Sequence, residues 1–389
     1  MSRLASGKAY VASVGFTKVA DHWESSILDL AVQAARGAMK GAPSVKPQQV
    51  FVGNMFSSVG AHQEHLGALV ASALGFESIP AFKVEAACAS GASAFNVAYM
   101  LVKSGALDSA LVIGVEKMRD LEPEAISEAL AMAESYEYTQ FVGATFAAMN
   151  ALLARLYMEQ TGVSRDELSS IPVIDHKNAV TAEHAQFRRA ITPEIVARSA
   201  MIADPLRLFD CAPVGDGAAA ALLVGDKSAA GAKSLVEVLG GRIATTAFSV
   251  YERKDMLRFT ATEEAFKAAM EEASVPRSKV DFAEIHDAFS VVGALALEAM
   301  GFSKKGQGSR DAAQGKYNID SEMPINTFGG LKARGHPVGA TGMYQIAEAC
   351  MQLTGKGGKN QLKEAEYGVT QNVGAVDTTS AVHVFGRAA

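Results

Sequence analysis

Cysteine is scarce in this chain of 389 residues: Cys88, Cys211 and Cys350 are the three that occur, and they lie far apart. They form no CxxC pair, and no cluster of cysteine and histidine has the spacing of a zinc site. The sequence therefore predicts neither a disulfide framework nor a bound metal. Unpaired cysteines in such numbers are typical of a protein in a reducing compartment.

Long apolar runs and an excess of basic residues are missing as well. No apolar stretch reaches the roughly 20 residues that a membrane-spanning helix needs. The first residues, MSRLASGKAYVASVGF, lack the basic segment and apolar core of a secretory signal. The 36 Lys and Arg residues are outnumbered by 42 Asp and Glu residues, so no basic stripe can neutralise nucleic-acid phosphates. We expect a cytoplasmic protein that binds neither membranes nor nucleic acid.

Strands and helices alternate along the chain. Residues 8–16 (KAYVASVGF) and 217–226 (GAAAALLVGD) are apolar enough for buried strands, whereas residues 23–40 show the apolar spacing of a helix. Continuous apolar strands are typical of a buried, largely parallel sheet that is covered by helices on both faces. The sequence therefore predicts an α/β fold.

Two segments of the chain resemble each other. CASGASAF, residues 88–95, aligns without a gap with HPVGATGM, residues 336–343, and each segment leads into a predicted helix. The order of neighbouring helices and strands also repeats, so we predict two pseudo-symmetric halves, residues 1–230 and 231–389, joined by GDKSAAGAKS. Such a twofold would bring two equivalent helix starts together, one led by a cysteine and the other by a histidine.

Cys88 and His336 are candidates for a nucleophile and its base. The free amides at the start of a helix stabilise a thiolate and lower the pKa of a cysteine, although a buried structural cysteine is the alternative. His336, held by Pro337 in the turn GGLKARGHPVGATG, could accept the thiol proton, but a histidine that only caps a turn fits the motif as well. Cys211 and Cys350 lack such surroundings and are assigned to the core.

Three further residues could complete a site. His286 ends the strand DFAEIH and precedes Asp287, which could instead hold a loop. Asn372 and Gly374, in TQNVGAVD, are predicted in a turn between strands, where a free backbone N–H could face a ligand. An ordinary β-turn is the alternative, and these residues alone do not establish a catalytic site.

The motifs occur in the order found in thiolases. Cys88 before a Ser-Gly helix start, DGAAA at 216–220, HDAF at 286–289 and GHPVGATG at 335–342 make the chain, from about residue 8 to 387, resemble the thiolase superfamily. HDAF in place of the usual NEAF makes it most similar to the branch of sterol-carrier-type and archaeal acetoacetyl-CoA thiolases. The motifs are specific for the superfamily and much less so for the substrate.

The resemblance implies a five-layer αβαβα fold in two similar halves, assembled as a homodimer or homotetramer. It implies that Cys88 accepts an acyl group from a coenzyme A thioester and that His336 activates this thiol. His286 would position a water or donate directly to an oxyanion, and the backbone amides of Cys88 and Gly374 would form a second oxyanion hole. Coenzyme A thioesters would be the substrates, with no tightly bound cofactor.

The chain departs from the family at the proton shuttle. Many thiolases carry a second cysteine in a C-terminal CxG motif, where this chain has Asn372. Some sterol-carrier-type members carry one in HDCF, where it has Ala288. An amide cannot act as a general base at neutral pH, so removal of the substrate α-proton falls to His286 or His336, or is absent.

The resemblance leaves three hypotheses open. The first is a thiolase-like acyltransferase of lipid metabolism, which carries an acyl group from acetyl-CoA or a 3-ketoacyl-CoA on Cys88 and passes it to coenzyme A or a carbon nucleophile. The second is a C-acyltransferase or decarboxylating ketoacyl-synthase-like enzyme with a non-CoA acceptor. The third is a thiolase-fold subunit that needs a partner, such as the small zinc-ribbon and OB-fold protein with which archaeal-type relatives work.

Overall fold

Nine strands join in one sheet in the structure, a computed structural model that describes residues 7–229 and 235–388. The sheet has the strand order β3-β2-β4-β7-β1-β8-β11-β10-β9, and β5 pairs with β6 apart from it. The strands are β1 (Ala9–Phe16), β2 (Val50–Gly53), β3 (Ala81–Val84), β4 (Ser109–Glu116), β5 (Met201–Ala203), β6 (Leu206–Arg207), β7 (Gly217–Gly225), β8 (Val236–Thr245), β9 (Phe282–Glu284), β10 (Tyr367–Gly374) and β11 (Thr379–Arg387).

The α-helices of the described residues vary from one turn to more than four turns. The predicted helix over 23–40 begins later, at Ile27, because Ser26 and Asp29 form a capping box there. None of these helices combines the length and apolarity needed to cross a bilayer. The helices are α1 (Ile27–Gly41), α2 (Ser57–Gly60), α3 (Leu66–Ala73), α4 (Ser90–Lys103), α5 (Pro123–Ala131), α6 (Phe146–Thr161), α7 (Arg165–Leu168), α8 (Ser170–Ala179), α9 (Pro193–Arg198), α10 (Asp226–Ala229), α11 (Thr260–Ala273), α12 (Ser290–Ala299), α13 (Gly308–Ala313) and α14 (Thr341–Leu353).

The sheet is mixed, so the prediction of a largely parallel sheet is wrong. Strands β4, β7, β1, β8, β11 and β10 pair antiparallel in that order, and the parallel pairs are β3–β2, β2–β4 and β10–β9. Every residue of β4 and β7 is buried, as their apolar runs predict. Burial on both faces does not determine strand direction, which depends on the path of the connections.

Three layers of helices enclose the two halves of the sheet. α1 packs on one face of β1, β4 and β7. α4 and α14 pack on each other, on the opposite face of these strands, and on β8 and β11. α11 covers the far side of β8 and β11. The predicted five-layer αβαβα fold is therefore confirmed.

The same arrangement of strands occurs in each half of the sheet. The neighbours β2-β4-β7-β1 are matched by β9-β10-β11-β8, with α4 before β4 and α14 before β10. The halves join through two residue pairs between β1 and β8. The predicted connection GDKSAAGAKS includes residues 230–234, which lie outside the described residues, so the division near residue 230 stays a prediction.

The N-termini of α4 and α14 touch through glycine. A Cβ atom on Gly91 would lie 2.6 Å from the carbonyl oxygen of Gly339, and one on Gly342 would lie 2.7 Å from the backbone nitrogen of Ala92. Side chains cannot be accommodated at such distances in a densely packed interior. These glycines come from the two aligned segments, so the repeat in the sequence corresponds to a direct contact in the structure.

Replacing Gly91 by alanine should force the two helix starts apart. Overpacking a dense interior usually costs about 1–3 kcal/mol, so Gly91→Ala should lower the free energy of unfolding by about that amount. Gly225→Ala is the matched control, because a Cβ atom there has ordinary contacts, the nearest at 3.6 Å. Urea unfolding followed by circular dichroism measures both variants, and equal stability of the two would contradict the packing.

Candidate active site

Cys88 lies in a tight turn between a strand and a helix. β3 ends at Val84, α4 begins at Ser90, and Ala87 between them has a positive φ of 50°. The hydroxyl of Ser90 stabilises the turn, because it accepts from the backbone N–H of Ala86 at 2.9 Å and donates to the carbonyl of Ala87 at 2.6 Å. The thiol therefore lies at the start of a helix, as the sequence predicts.

Two histidines from the C-terminal part of the chain meet Cys88. The sulfur of Cys88 and one ring nitrogen each of His286 and His336 lie within 4.8 Å of one another, and all three side chains are buried. The two imidazole rings are nearly perpendicular, with centroids 5.3 Å apart. The structure thus brings together the three residues that the motifs single out. The same ligand types could hold zinc, and the expected absence of a metal stays a prediction.

Thr341 contacts Nδ1 of His336. With its hydroxyl assigned as the donor to the carbonyl of Pro337 at 3.2 Å, its oxygen accepts from Nδ1 of His336 at 2.6 Å. A neutral imidazole that donates through Nδ1 has an unprotonated Nε2. His336 therefore presents a proton acceptor, which is the property that a base for Cys88 needs.

Asn372 gives His286 the opposite tautomer. In the assigned orientation of its amide, Nδ2 of Asn372 lies 2.9 Å from Nδ1 of His286 and donates to it, which leaves the imidazole proton on Nε2. His286 therefore presents a hydrogen-bond donor. The prediction of Asn372 in a turn is wrong: β10 continues to Gly374 because it pairs with β11 over its whole length. The amide itself, and not only the backbone, contacts the site.

Burial, not the helix dipole, dominates the pKa of Cys88. Loss of solvent raises the pKa of the thiol to about 12, and the buried carboxylate of Glu116 adds to this effect. The backbone N–H groups of Ala375 and of Cys88 itself act in the opposite direction. The predicted lowering of the Cys88 pKa is therefore wrong, because the argument from the helix start neglected desolvation of the thiolate.

Burial also keeps both imidazoles neutral. It lowers the pKa of His286 to about 3, against the opposing effect of the adjacent Asp287. It lowers the pKa of His336 well below the usual 6.5, and the nearby His286 and Arg334 lower it further. At neutral pH the site therefore contains an uncharged thiol, an uncharged acceptor and an uncharged donor.

The turn after β10 brings backbone donors to the sulfur. A Cβ atom on Gly374 would lie 2.4 Å from the carbonyl oxygen of Ala86, so glycine allows the end of β10 to approach the Cys88 turn. The backbone N–H of the next residue, Ala375, lies near enough to the sulfur to lower the pKa of the thiol. Sequence analysis missed Ala375, because a backbone donor leaves no trace in residue type. The role predicted for the Gly374 amide stays a prediction.

Cys88 and His336 line a cavity of about 1050 Å³. Its other walls are mainly apolar, which suits an acyl chain. Cys211 packs against the core as predicted, but it is only partly buried and also lines this cavity. Its backbone pairs with Phe289, another wall residue. Cys350 is buried, as predicted. Apolar wall residues include Ile126, Leu130, Phe146, Ile191 and Phe209.

Buried carboxylates hold the loops that carry the site. Glu116, at the end of β4, accepts hydrogen bonds from the backbone N–H of Met55 at 2.9 Å and of Gly339 at 3.0 Å. Asp287 accepts from the backbone N–H of Leu331 at 2.9 Å, which confirms that this residue holds a loop. Sequence analysis missed Glu116, because a single glutamate after an apolar strand forms no motif.

Comparison with known families identifies both parts of the chain. The thiolase N-terminal domain matches residues 10–227, and the thiolase C-terminal domain-like family matches residues 242–387. Because these matches together span most of the chain, the chain belongs to the thiolase family. The resemblance stated from the motifs is therefore confirmed.

Individual relatives agree with the predicted branch. The acetyl-CoA acetyltransferase of Methanothermobacter thermautotrophicus is 40% identical over 380 residues, which cover 97% of this chain and 99% of that protein. Human sterol carrier protein 2 is 30% identical, and the match covers 94% of this chain and 70% of that protein. A solved structure, the Ltp2-ChsH2(DUF35) aldolase, shares the fold with a TM-score of 0.84 at 22% identity, over 99% of both chains.

The lowered histidine pKa values predict that the rate of Cys88 acetylation changes little between neutral and mildly acidic pH. A lowered pKa keeps the imidazole neutral at lower pH, so Nε2 of His336 should stay unprotonated from pH 8 to pH 5.5. The rate of Cys88 acetylation by acetyl-CoA should then change by less than about threefold, whereas a histidine with a pKa near 6.5 would lose about tenfold. Rapid-quench measurements with labelled acetyl-CoA check this. A midpoint near pH 6.5 would contradict it.

Proposed function

We propose that the chain is a thiolase-like acyltransferase that carries an acyl group on Cys88. The donor is acetyl-CoA or a 3-ketoacyl-CoA, and the acceptor is coenzyme A or a carbon nucleophile. One observation carries the proposal: a buried thiol lies beside two neutral imidazoles, one with a free acceptor and one with a free donor. The name of the archaeal relative that is 40% identical supports the same reaction.

In the acylation step, Nε2 of His336 takes the thiol proton while the sulfur of Cys88 attacks the thioester carbonyl carbon. The backbone N–H groups beside the sulfur hold the oxygen that becomes negative. The tetrahedral intermediate then expels the thiolate of coenzyme A, which receives the proton from His336. Transfer of the proton during attack avoids a free thiolate, which the raised pKa of Cys88 makes unfavourable.

In the carbon–carbon step, the same base acts again. Neutral His336 removes an α-proton from acetyl-CoA, and Nε2–H of His286 donates to the enolate oxygen. The enolate carbon attacks the acyl carbonyl on Cys88, and the departing thiolate takes the proton back from His336. No second cysteine is needed, because His336 removes and returns the proton, while Asn372 holds the tautomer of His286.

We further propose a cytoplasmic homodimer or homotetramer that acts in lipid metabolism. Dependence on a partner is the second candidate, because one structure with the same fold, the Ltp2-ChsH2(DUF35) aldolase, is named as an assembly of two proteins. The exposed side chains of Tyr136, Tyr138 and Phe141 supply an apolar surface for a small zinc-ribbon and OB-fold protein. Acetoacetyl-CoA cleavage by the purified chain alone would exclude an obligate partner.

Incubation with acetyl-CoA should place an acetyl group on Cys88, which peptide mass spectrometry detects. His336→Ala should slow this acetylation by about a hundredfold or more, because the thiol loses its proton acceptor. His286→Ala should leave acetylation nearly intact and slow acetoacetyl-CoA cleavage by a similar factor. Equal losses of both steps in His286→Ala would reject this division of roles. A folded protein without acetyl on Cys88 would reject the reaction itself.

Two conservative variants test separately the contacts that fix the tautomers of His336 and His286. Thr341→Val removes the acceptor for Nδ1–H of His336 at nearly constant shape, so acetylation of Cys88 should fall roughly tenfold or more. Asn372→Leu frees His286 to adopt either tautomer, so acetylation should persist while acetoacetyl-CoA cleavage falls by a similar factor. Single-turnover acetylation and steady-state cleavage provide the two readouts. Unchanged cleavage in Asn372→Leu would show that the amide has no role.

A further inference from the structure

Lys332 is a buried cation in the wall of the catalytic cavity. It lies in the turn Gly330–Arg334, and 2% of the residue is exposed. Its ammonium group donates to the backbone carbonyl of Asp210 and lies 5.7 Å from the centroid of the Phe289 ring. Lys332 and Phe289 both line the cavity that contains the reactive thiol.

Lys332 differs from the other buried cations in its lack of a carboxylate partner. Lys117 and Arg334 are the other lysine and arginine side chains that are buried in the described residues. Nζ of Lys117 lies 3.0 Å from an Asp216 oxygen, and Nε of Arg334 lies 3.2 Å from a Glu348 oxygen. Within the described ranges, no carboxylate oxygen lies within 4.0 Å of Nζ of Lys332.

The acidic side chains nearest to Lys332 are engaged elsewhere. Asp210 forms an ion pair with Arg165. Asp287 accepts through one oxygen from the backbone N–H of Leu331, and burial together with Asp287 raises the pKa of the neighbouring Asp175. An ammonium has three N–H donors, and a buried charge without an ion partner is unfavourable. An anion in the cavity would complete the surroundings of Lys332.

We propose that Lys332 binds a carboxylate at the far end of the acyl chain, so that the preferred substrates are acyl-CoA thioesters with a second carboxyl group. The thioester lies at Cys88, and the chain follows the apolar wall toward Phe289. This inference rests on the acyl-CoA chemistry proposed above and adds the substrate class. Arg189 also lines the cavity but is exposed, which suits the solvated phosphates of coenzyme A.

Binding to a Cys88→Ala variant tests the inference without turnover. Glutaryl-CoA and pentanoyl-CoA have acyl chains of equal length and differ in the terminal carboxylate; adipyl-CoA and hexanoyl-CoA form a second pair. Isothermal titration calorimetry should show tighter binding of the carboxylated member of at least one pair, by roughly tenfold to a hundredfold, the range of a hydrogen bond between charged groups. Lys332→Met, added to Cys88→Ala, should abolish that preference by weakening the carboxylated member alone.

Arg189→Met is the matched control, because it removes one positive charge from the same cavity. It should leave the ratio of the two dissociation constants unchanged, since it affects both members of a pair alike. Binding of pentanoyl-CoA shows that a variant is folded. If Lys332→Met does not fold, Lys332→Gln replaces it. The relative affinity of the Cys88→Ala protein for the carboxylated and uncarboxylated thioesters still tests the inference without either variant.

Two results would overturn the assignment of Lys332. One is equal or tighter binding of the uncarboxylated member of both pairs by the Cys88→Ala protein. The other is an unchanged ratio of dissociation constants in the Lys332→Met variant, which would mean that the cation only stabilises its turn. Failure to bind all four thioesters would overturn the proposed function together with the inference.

Discussion

The contact between the N-termini of α4 and α14 determines where the reactive groups lie. Glycine at Gly91 and Gly342 lets the two backbones touch. The residues just before these helices then approach one another from the two halves of the chain. The separation of at most 4.8 Å within the set of Cys88, His286 and His336 depends on this contact, because a side chain between the helices would widen it.

Burial then determines how these groups can react. A solvent-exposed pair of cysteine and histidine exchanges a proton readily, because water stabilises both ions. Here loss of water disfavours the thiolate and the imidazolium alike. Neutral hydrogen bonds from Thr341 and Asn372, rather than charges, therefore distinguish the two imidazoles. An amide at position 372 is useful in such a site because its hydrogen bond holds the imidazole proton of His286 on Nε2, while the amide itself does not ionise.

Local motifs predicted which residues meet, because the segments around Cys88 and His336 each encode a helix start and repeat one another. Strand direction could not be predicted, since apolar runs such as β7 report burial alone. The tautomer of His286 could not be predicted from the sequence either, because the contact of Asn372 with His286 joins residues that are remote in the chain. The place of Cys211 in the cavity wall was missed for a similar reason, because Cys211 pairs with the distant Phe289.

The repeated arrangement of the two halves also bears on how such a site could arise in evolution. In an ancestor with identical halves, both helix starts would carry the same residue, and two thiols could not divide the work of nucleophile and base. Divergence at the two aligned positions, now Cys88 and His336, would turn a symmetric pair of surfaces into a catalytic one. After that change neither half could be lost, since each would hold a part of the chemistry that the other lacks.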